Sequence, residues 1–240
     1  MVRKGVAFAA YVDDPRTVAV KRAIGALVAS ECRGSASVII HINGWPGTGK
    51  HTVGRIVACH LGARFVHNHV LHDVAIVCAG YDDPGRWPLY DEVREAAYRT
   101  LLNRPAEETF VMTNALCTNS PRERAVWNHV VDLAIARRLP LVPVVLEASS
   151  AENERRVASP DRQGRKLTDP GGLRSMRETD TIQRPLVPEL LVLDTTEITA
   201  EEAASAVMRH VVGQRKAGPL PPARECHRRL ASIRGLRPDA

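Results

Sequence analysis

The stretch VIIHINGWPGTGKHT, residues 38–52, decides how the chain folds. Its apolar run Val38-Ile39-Ile40 continues to Ile42 and breaks at Asn43-Gly44 into a glycine-rich turn. Beyond Lys50, Val53, Ile56, Val57 and Leu61 recur at helical spacing. The order is strand, loop, helix, with Gly44, Gly49 and Lys50 at the spacing G-x-x-x-x-G-K. Glycines let such a backbone curl until successive N–H groups face one point. The helix that follows begins with roughly half a positive charge, so the turn is a cradle for phosphate. Lys50 adds a point charge beside the outer phosphates.

The residue after the lysine departs from the usual Ser or Thr that holds magnesium. It is His51, followed by Thr52. A neutral imidazole is a poor ligand for a hard, oxygen-preferring ion. In this form the loop resembles that of the adenylate-kinase branch of the P-loop kinases, which reads G-x-P-G-x-G-K-G-T. Gly44, Pro46, Gly47, Gly49, Lys50 and Thr52 match, Thr48 fills the variable place, and His51 replaces a glycine. The resemblance implies ATP held by Gly44, Pro46, Gly47, Thr48, Gly49, Lys50, His51 and Thr52. It also implies a Mg²⁺ held largely through water, phosphates and a more distant carboxylate, with Thr52 reaching a phosphate.

The chain has 240 residues, which suits one α/β domain with trimmings better than two domains. Apolar residues make up 44% and charged residues 25%, as in a water-soluble globular protein. Aromatics are only 4%, so platforms for stacking single-stranded nucleic acid are scarce. A net charge of +6 suits anionic partners such as nucleotides. The basic residues are scattered or sit in the tail, so a nucleic-acid partner is open but unforced. Cys32, Cys59, Cys78, Cys117 and Cys226 form no C-x-x-C pair, and several lie in apolar stretches. They are expected to be small buried hydrophobes in a reducing compartment. No apolar run approaches membrane-spanning length, and Asp13-Asp14 spoils a secretory reading of the first residues. The expected location is cytoplasmic, with no membrane partner.

Three regions are expected: an N-terminal extension over 1–36, a kinase-like domain over 37–213, and a basic, proline-rich tail over 214–240. Within the extension, 18–29 fits one amphipathic helix. In the domain, 63–67 reads as a second strand ending in Asn68-His69, and 70–78 as a short helix. Residues 89–102 are helical, with Val93, Ala96, Ala97 and Leu101 on one face. Residues 109–116 form a strand. Ser120 and Glu123 frame a capping box for a helix reaching about Arg138, with Pro121 at its first position. A buried strand over 141–146 follows. A second capping box, Ser149 and Glu152, opens a helix that stops before Pro160. The last strand covers 190–193, and Thr199 with Glu202 caps a final helix ending at Gly213. Alternating strands and helices predict an α/β fold: a doubly wound, parallel, five-stranded sheet covered on both faces, with a lid insertion over about 150–185.

In such sheets, ligands sit at the carboxyl ends of the strands. That rule selects the loop after the first strand, 68–73 after the second, and Thr113-Asn114 after the third. The chain resembles nucleotide, shikimate and gluconate kinases, where the end of the second strand meets the phosphoryl acceptor. The resemblance makes Asn68 and His69 acceptor contacts. His69 and Asp73 are the candidates to take the hydroxyl proton, and an imidazole titrates in the right range. Asp73 also suits a metal-bound water, and with Thr52 completes the candidates for the metal. Asn114 is a candidate acceptor contact. The absence of an acid at 113–114 argues against a motor-type or AAA-type ATPase. His67, His69 and His72 crowd together, but zinc needs three or four converging ligands and no Cys is near. Zinc is rejected, and His67 is read as a packed strand residue.

Residues 152–184 carry Arg155, Arg156, Arg162, Arg165, Lys166, Arg174, Arg177 and Arg184. Related kinases place a mobile lid here whose arginines close on the phosphates. Phosphoryl transfer needs positive charge around the moving group and exclusion of water. Arg156, Arg162 and Arg165 are the lid candidates, with Gly164, Gly171 and Gly172 as bending points. The reading is an ATP- and Mg²⁺-dependent phosphotransferase acting on a small-molecule hydroxyl or phosphate, with Lys50 central to catalysis. Two alternatives stand beside it: a polynucleotide or RNA-end kinase, and a non-catalytic nucleotide-binding regulator.

Overall fold

The computed structural model describes residues 37–160, 162 and 167–215. The expected helix over 18–29, the tail from residue 216, and Gly164, Arg165 and Lys166 lie outside the described residues. Five strands form one sheet: β1 (Ile39–Asn43), β2 (Arg64–His67), β3 (Phe110–Thr113), β4 (Leu141–Glu147) and β5 (Leu191–Asp194). All are parallel, in the order β2-β3-β1-β4-β5. The helices are α1 (Lys50–Leu61), α2 (Asn68–Ala79), α3 (Arg86–Leu102), α4 (Pro121–Arg137), α5 (Ser150–Val157), α6 (Pro170–Thr179) and α7 (Ala200–Arg215). The doubly wound parallel architecture expected from the alternation is therefore observed.

Side-chain alternation along the strands builds two cores. Val38, Ile40, Ile42, Val144 and Leu146 pack with Val53 and Val57 of α1 and with Val207 and Val211 of α7. Ile39, Phe110, Met112 and Leu141 face the other way, onto Tyr98 and Leu101 of α3 and Val130 and Leu133 of α4. Every residue of β1 is buried, the polar His41 and Asn43 included, as expected of a central strand covered on both faces. With helices on both faces, the rim where the strands end is the place such a sheet offers a ligand.

Several local expectations need correction. The buried face of α3 is Tyr90, Arg94, Tyr98 and Leu101, while Ala96 is exposed. Arg94 is tolerated inside because it pairs with Asp91 at 2.8 Å. The third strand is shorter than expected, since the chain leaves the sheet at Asn114. Cys59 and Cys78 are exposed on their helices rather than buried; of the described cysteines only Cys117 is enclosed. Gly171 and Gly172 are not bends. Asp169 accepts their N–H groups at 3.0 and 2.7 Å and starts α6 on them. Gly213 does not stop the last helix, which continues to Arg215.

Candidate active site

The loop between β1 and α1 is shaped by close approach. Gly44 has φ +148°, and a Cβ there would lie 2.3 Å from the Leu146 carbonyl oxygen of β4. Gly47 has φ +92°, and its Cβ would lie 2.4 Å from Asn153 Nδ2. Neither position admits a side chain. The Trp45 carbonyl gathers the loop by accepting from Thr48 N at 3.3 Å, Thr48 Oγ1 at 2.9 Å and Lys50 Nζ at 2.7 Å. Thr48 is fully buried, so its side chain braces the turn from within. Gly49 is left-handed and caps α1, and a Cβ added there would meet only Val53 Cγ2, at 3.9 Å. The hollow side of the turn is thus open beside the helix N-terminus, as a phosphate needs.

A cleft of about 630 Å³ opens from this loop. Pro46, Gly47, Gly49, Lys50, His51 and Thr52 form one wall, and Arg155, Arg156 and Arg162 form another. Asn68, His69, Thr113 and Asn114 close the far end, so three strand ends meet in one volume, as the rim rule requires. Asn68 accepts a 2.7 Å bond from the buried Tyr90 hydroxyl, which sets its amide at the start of α2. His72, also in the wall, stacks on Tyr90 with ring centres 4.0 Å apart. Asn114 Oδ1 lies 3.0 Å from His41 Nε2 inside β1, so this side chain is braced by the core as it lines the cleft. His51 packs edge-on against Phe65 and His67, with centroids 5.3 and 4.7 Å away.

The expected residues do not all converge. Asp73 lies on the exposed face of α2, outside the cleft walls. Gly44 and Thr48 shape the loop from behind rather than line the cleft. Arg156 is held to Glu152 at 2.6 Å and to the Thr195 hydroxyl and carbonyl at 3.0 and 2.6 Å, which ties α5 to the end of β5. Arg162 is bonded to the Leu167 carbonyl at 2.8 Å and faces Lys50 electrostatically. The Ser149 and Glu152 pair is half a capping box: Ser149 accepts from Glu152 N at 3.3 Å, but the carboxylate turns to Arg155 and Arg156. Glu123 likewise leaves Ser120 and accepts from Cys117 N.

The electrostatics follow from enclosure. Burial, and then the positive charge of Arg162, lowers the Lys50 ammonium to about 7. Burial lowers His72 to about 4, with the charges of His69 and Arg86 adding to it. Burial also takes His41 to about 4, against the Asn114 hydrogen bond that raises it. Cys117 is pushed up to about 12 by burial, with Glu123 and Asp180 nearby, so this thiol stays protonated.

The donor set bears on a metal. Among the described residues the cleft walls carry hydroxyls, amides, imidazoles, a lysine and arginines, and no carboxylate. Thr52, Thr113 and Ser159 would offer a magnesium ion hydroxyl oxygens, and Asn68 and Asn114 amide oxygens, with water and phosphate oxygens supplying the rest. Two residues the sequence reading passed over shape the site. Thr195 stands just past β5, where the rim rule would have found it had the rule been carried to the last strand. Asn153 touches the loop from one turn inside α5, where no local pattern marks it.

No protein-family model matches the chain, and no curated protein matches its sequence. Solved structures do resemble it. A "putative kinase" from Chloroflexus aurantiacus j-10-fl superposes with a TM-score of 0.57 at 20% identity, over 77% of this chain and 98% of its own. A gluconokinase from Sinorhizobium meliloti 1021 superposes with a TM-score of 0.50 at 20% identity, over 76% and 97%. At such identities the likeness speaks for the fold. With the strand order, the glycine-rich loop after β1 and these neighbours in agreement, the chain has the P-loop kinase-like fold.

Proposed function

We propose that the protein is a small-molecule kinase that moves the γ-phosphoryl group of ATP to a hydroxyl or phosphate of an acceptor. One observation carries this reading: the glycine-rich loop with Lys50, three arginines, and the Asn68, His69 and Asn114 end all face one cleft. Gly47, Gly49, Lys50, His51 and Thr52 bind the triphosphate, with Gly44, Pro46 and Thr48 holding the loop in shape. Asn68 and Asn114 orient the acceptor. His69 takes the acceptor's hydroxyl proton as the new P–O bond forms and the bond to the nucleoside diphosphate breaks. Lys50, Arg156 and Arg162 carry positive charge to the equatorial oxygens. Thr52 would help hold magnesium, which would supply further positive charge to the phosphates. Asp73, outside the cleft walls, would reach the metal through water. The lid over 150–185 and Arg165 belong to this reading as parts that close on the phosphates.

The test is ATP turnover against a panel of sugar acids, cyclic polyol acids, nucleoside monophosphates and amino-sugar hydroxyls, with Lys50→Ala as control. Acceptor-dependent ADP release that falls by about a hundredfold or more in Lys50→Ala supports the reading. Turnover that survives the substitution contradicts the role of Lys50. Tight ATP binding with no turnover on any acceptor favours a regulatory nucleotide-binding protein instead.

A further inference from the structure

Asn153 is fully buried, with the loop on one side and α6 on the other. Its Nδ2 donates to the Pro46 carbonyl at 2.6 Å, and its Oδ1 accepts from Arg177 Nη2 at 2.6 Å. The two partners fix the amide's orientation without ambiguity: a guanidinium can only donate and a carbonyl can only accept. Gly47 is pressed against the same amide, and Val157 Cγ2 stands 2.8 Å from where a Gly47 Cβ would be. Arg177 sits on α6, which is also tied to α5 by the 2.6 Å Arg174–Glu154 pair and anchored by the fully buried Leu173. Arg177 Nη1 is buried with no hydrogen-bond partner among the described residues, so the Asn153 contact is what offsets that arginine's enclosure.

Because the peptide unit is planar and trans, holding the Pro46 C=O toward α5 turns the Gly47 N–H to the opposite side of the loop. We propose that Asn153, backed by Arg177, is a positioning residue: it sets the Pro46–Gly47 peptide plane and so aims a cradle N–H at the nucleotide's phosphates. The inference rests on the nucleotide-binding reading and extends it to a pair of residues that the phosphate-loop pattern does not contain. The loop's grip is thereby coupled to α6, some 130 residues further along the chain.

Three variants of the full chain test this: Asn153→Ala, Asn153→Asp and Arg177→Met. Loss of one aligned hydrogen bond to the loop should weaken MgATP binding about tenfold in Asn153→Ala, with the acceptor KM unchanged. Arg177→Met, which leaves the loop-facing amide in place but unsupported, should show a smaller loss in the same direction. Asn153→Asp keeps a partner for Arg177 but opposes two acceptors at Pro46, so it should bind MgATP no better than Asn153→Ala. A role confined to stability predicts the reverse order, with Asn153→Asp close to the parent. ATP affinity within twofold of the parent in both Arg177→Met and folded Asn153→Ala, or parental affinity in Asn153→Asp, overturns the proposal. If Asn153→Ala does not fold, Arg177→Met alone decides by the same criterion. If the parent protein binds no ATP, the kinase reading fails, and amide exchange over residues 46–52 judges the clamp: faster exchange confined to that stretch in the variants supports it, and unchanged exchange overturns it.

Discussion

Lys50 carries its charge against resistance, because enclosure and then Arg162 hold its pKa to about 7. A triphosphate beside it reverses the balance and favours the ammonium form. Above pH 7 the nucleotide-free protein holds this lysine largely neutral, so binding must take up a proton. Calorimetry at pH 8 in buffers of differing ionisation enthalpy should report an uptake approaching one proton per site, falling to none at pH 6. Equal uptake at both values would contradict the enclosed-lysine picture. The same depressed value bears on stability. Between about 7 and the ordinary 10.5 the unfolded chain binds more protons at this site, so the lysine's cost is relieved as pH rises through that window. At this scale the sequence was legible wherever function depends on neighbours along the chain. Gly44, Gly47, Gly49 and Lys50 are a continuous spacing, and their geometry follows from it. Asn153 and Thr195 reach the loop across the tertiary fold, and Arg156, while lining the cleft, is tied to Thr195, all through contacts that no local pattern encodes.

Two glycines in helices separate packing from propensity. Gly54, buried in α1, lets the helix lie on the sheet: a Cβ there would stand 2.8 Å from Phe65 Cε2 and 3.1 Å from Thr113 Cγ2. Among the described residues, nothing lies within 4 Å of where a Cβ would stand on Gly213 in α7. Alanine gains about 1 kcal/mol of helix propensity over glycine at either place. At Gly213 that gain stands alone, so Gly213→Ala should raise stability by about 0.5–1 kcal/mol in urea unfolding. At Gly54 the Phe65 ring must shift, and overpacking costs about 1–3 kcal/mol, so Gly54→Ala should lower stability on balance. A stabilised Gly54→Ala would show that Phe65 has room to move. Helix starts were legible from the sequence, and the fate of each capping glutamate was not. Thr199 and Glu202 bond reciprocally, at 2.8 and 3.1 Å, whereas Glu123 and Glu152 are drawn to a backbone N–H and to two arginines. The helix α6 went unread because Gly171-Gly172 looks like a hinge until Asp169 is seen to cap it.

The sheet's interior makes the whole molecule sensitive to acid. His41, 1% exposed in the central strand, has a folded pKa of about 4 against about 6.5 when unfolded. The unfolded state therefore binds the extra proton first. Stability is intact above pH 6.5 and declines as pH falls from there through 4, by on the order of 3 kcal/mol from this group. Burial of His72 pulls the same way. Urea midpoints at pH 7 and 4.5 should differ less in His41→Gln than in the parent, and an unchanged difference would remove His41 from the account. The fold class was visible in advance, since alternating strands and helices admit few architectures. The order of strands was not, because it depends on which edges are covered once everything else is in place. That order sets a timetable for the nascent chain. β1 emerges first yet lies in the middle: Ile39 pairs with Phe110 on one side and Leu141 on the other. During synthesis the earliest strand must wait, bare on one flank or both, until roughly a hundred further residues have left the ribosome. A translation pause before Leu141 would expose that flank at its most adhesive, and chaperone dependence should peak there.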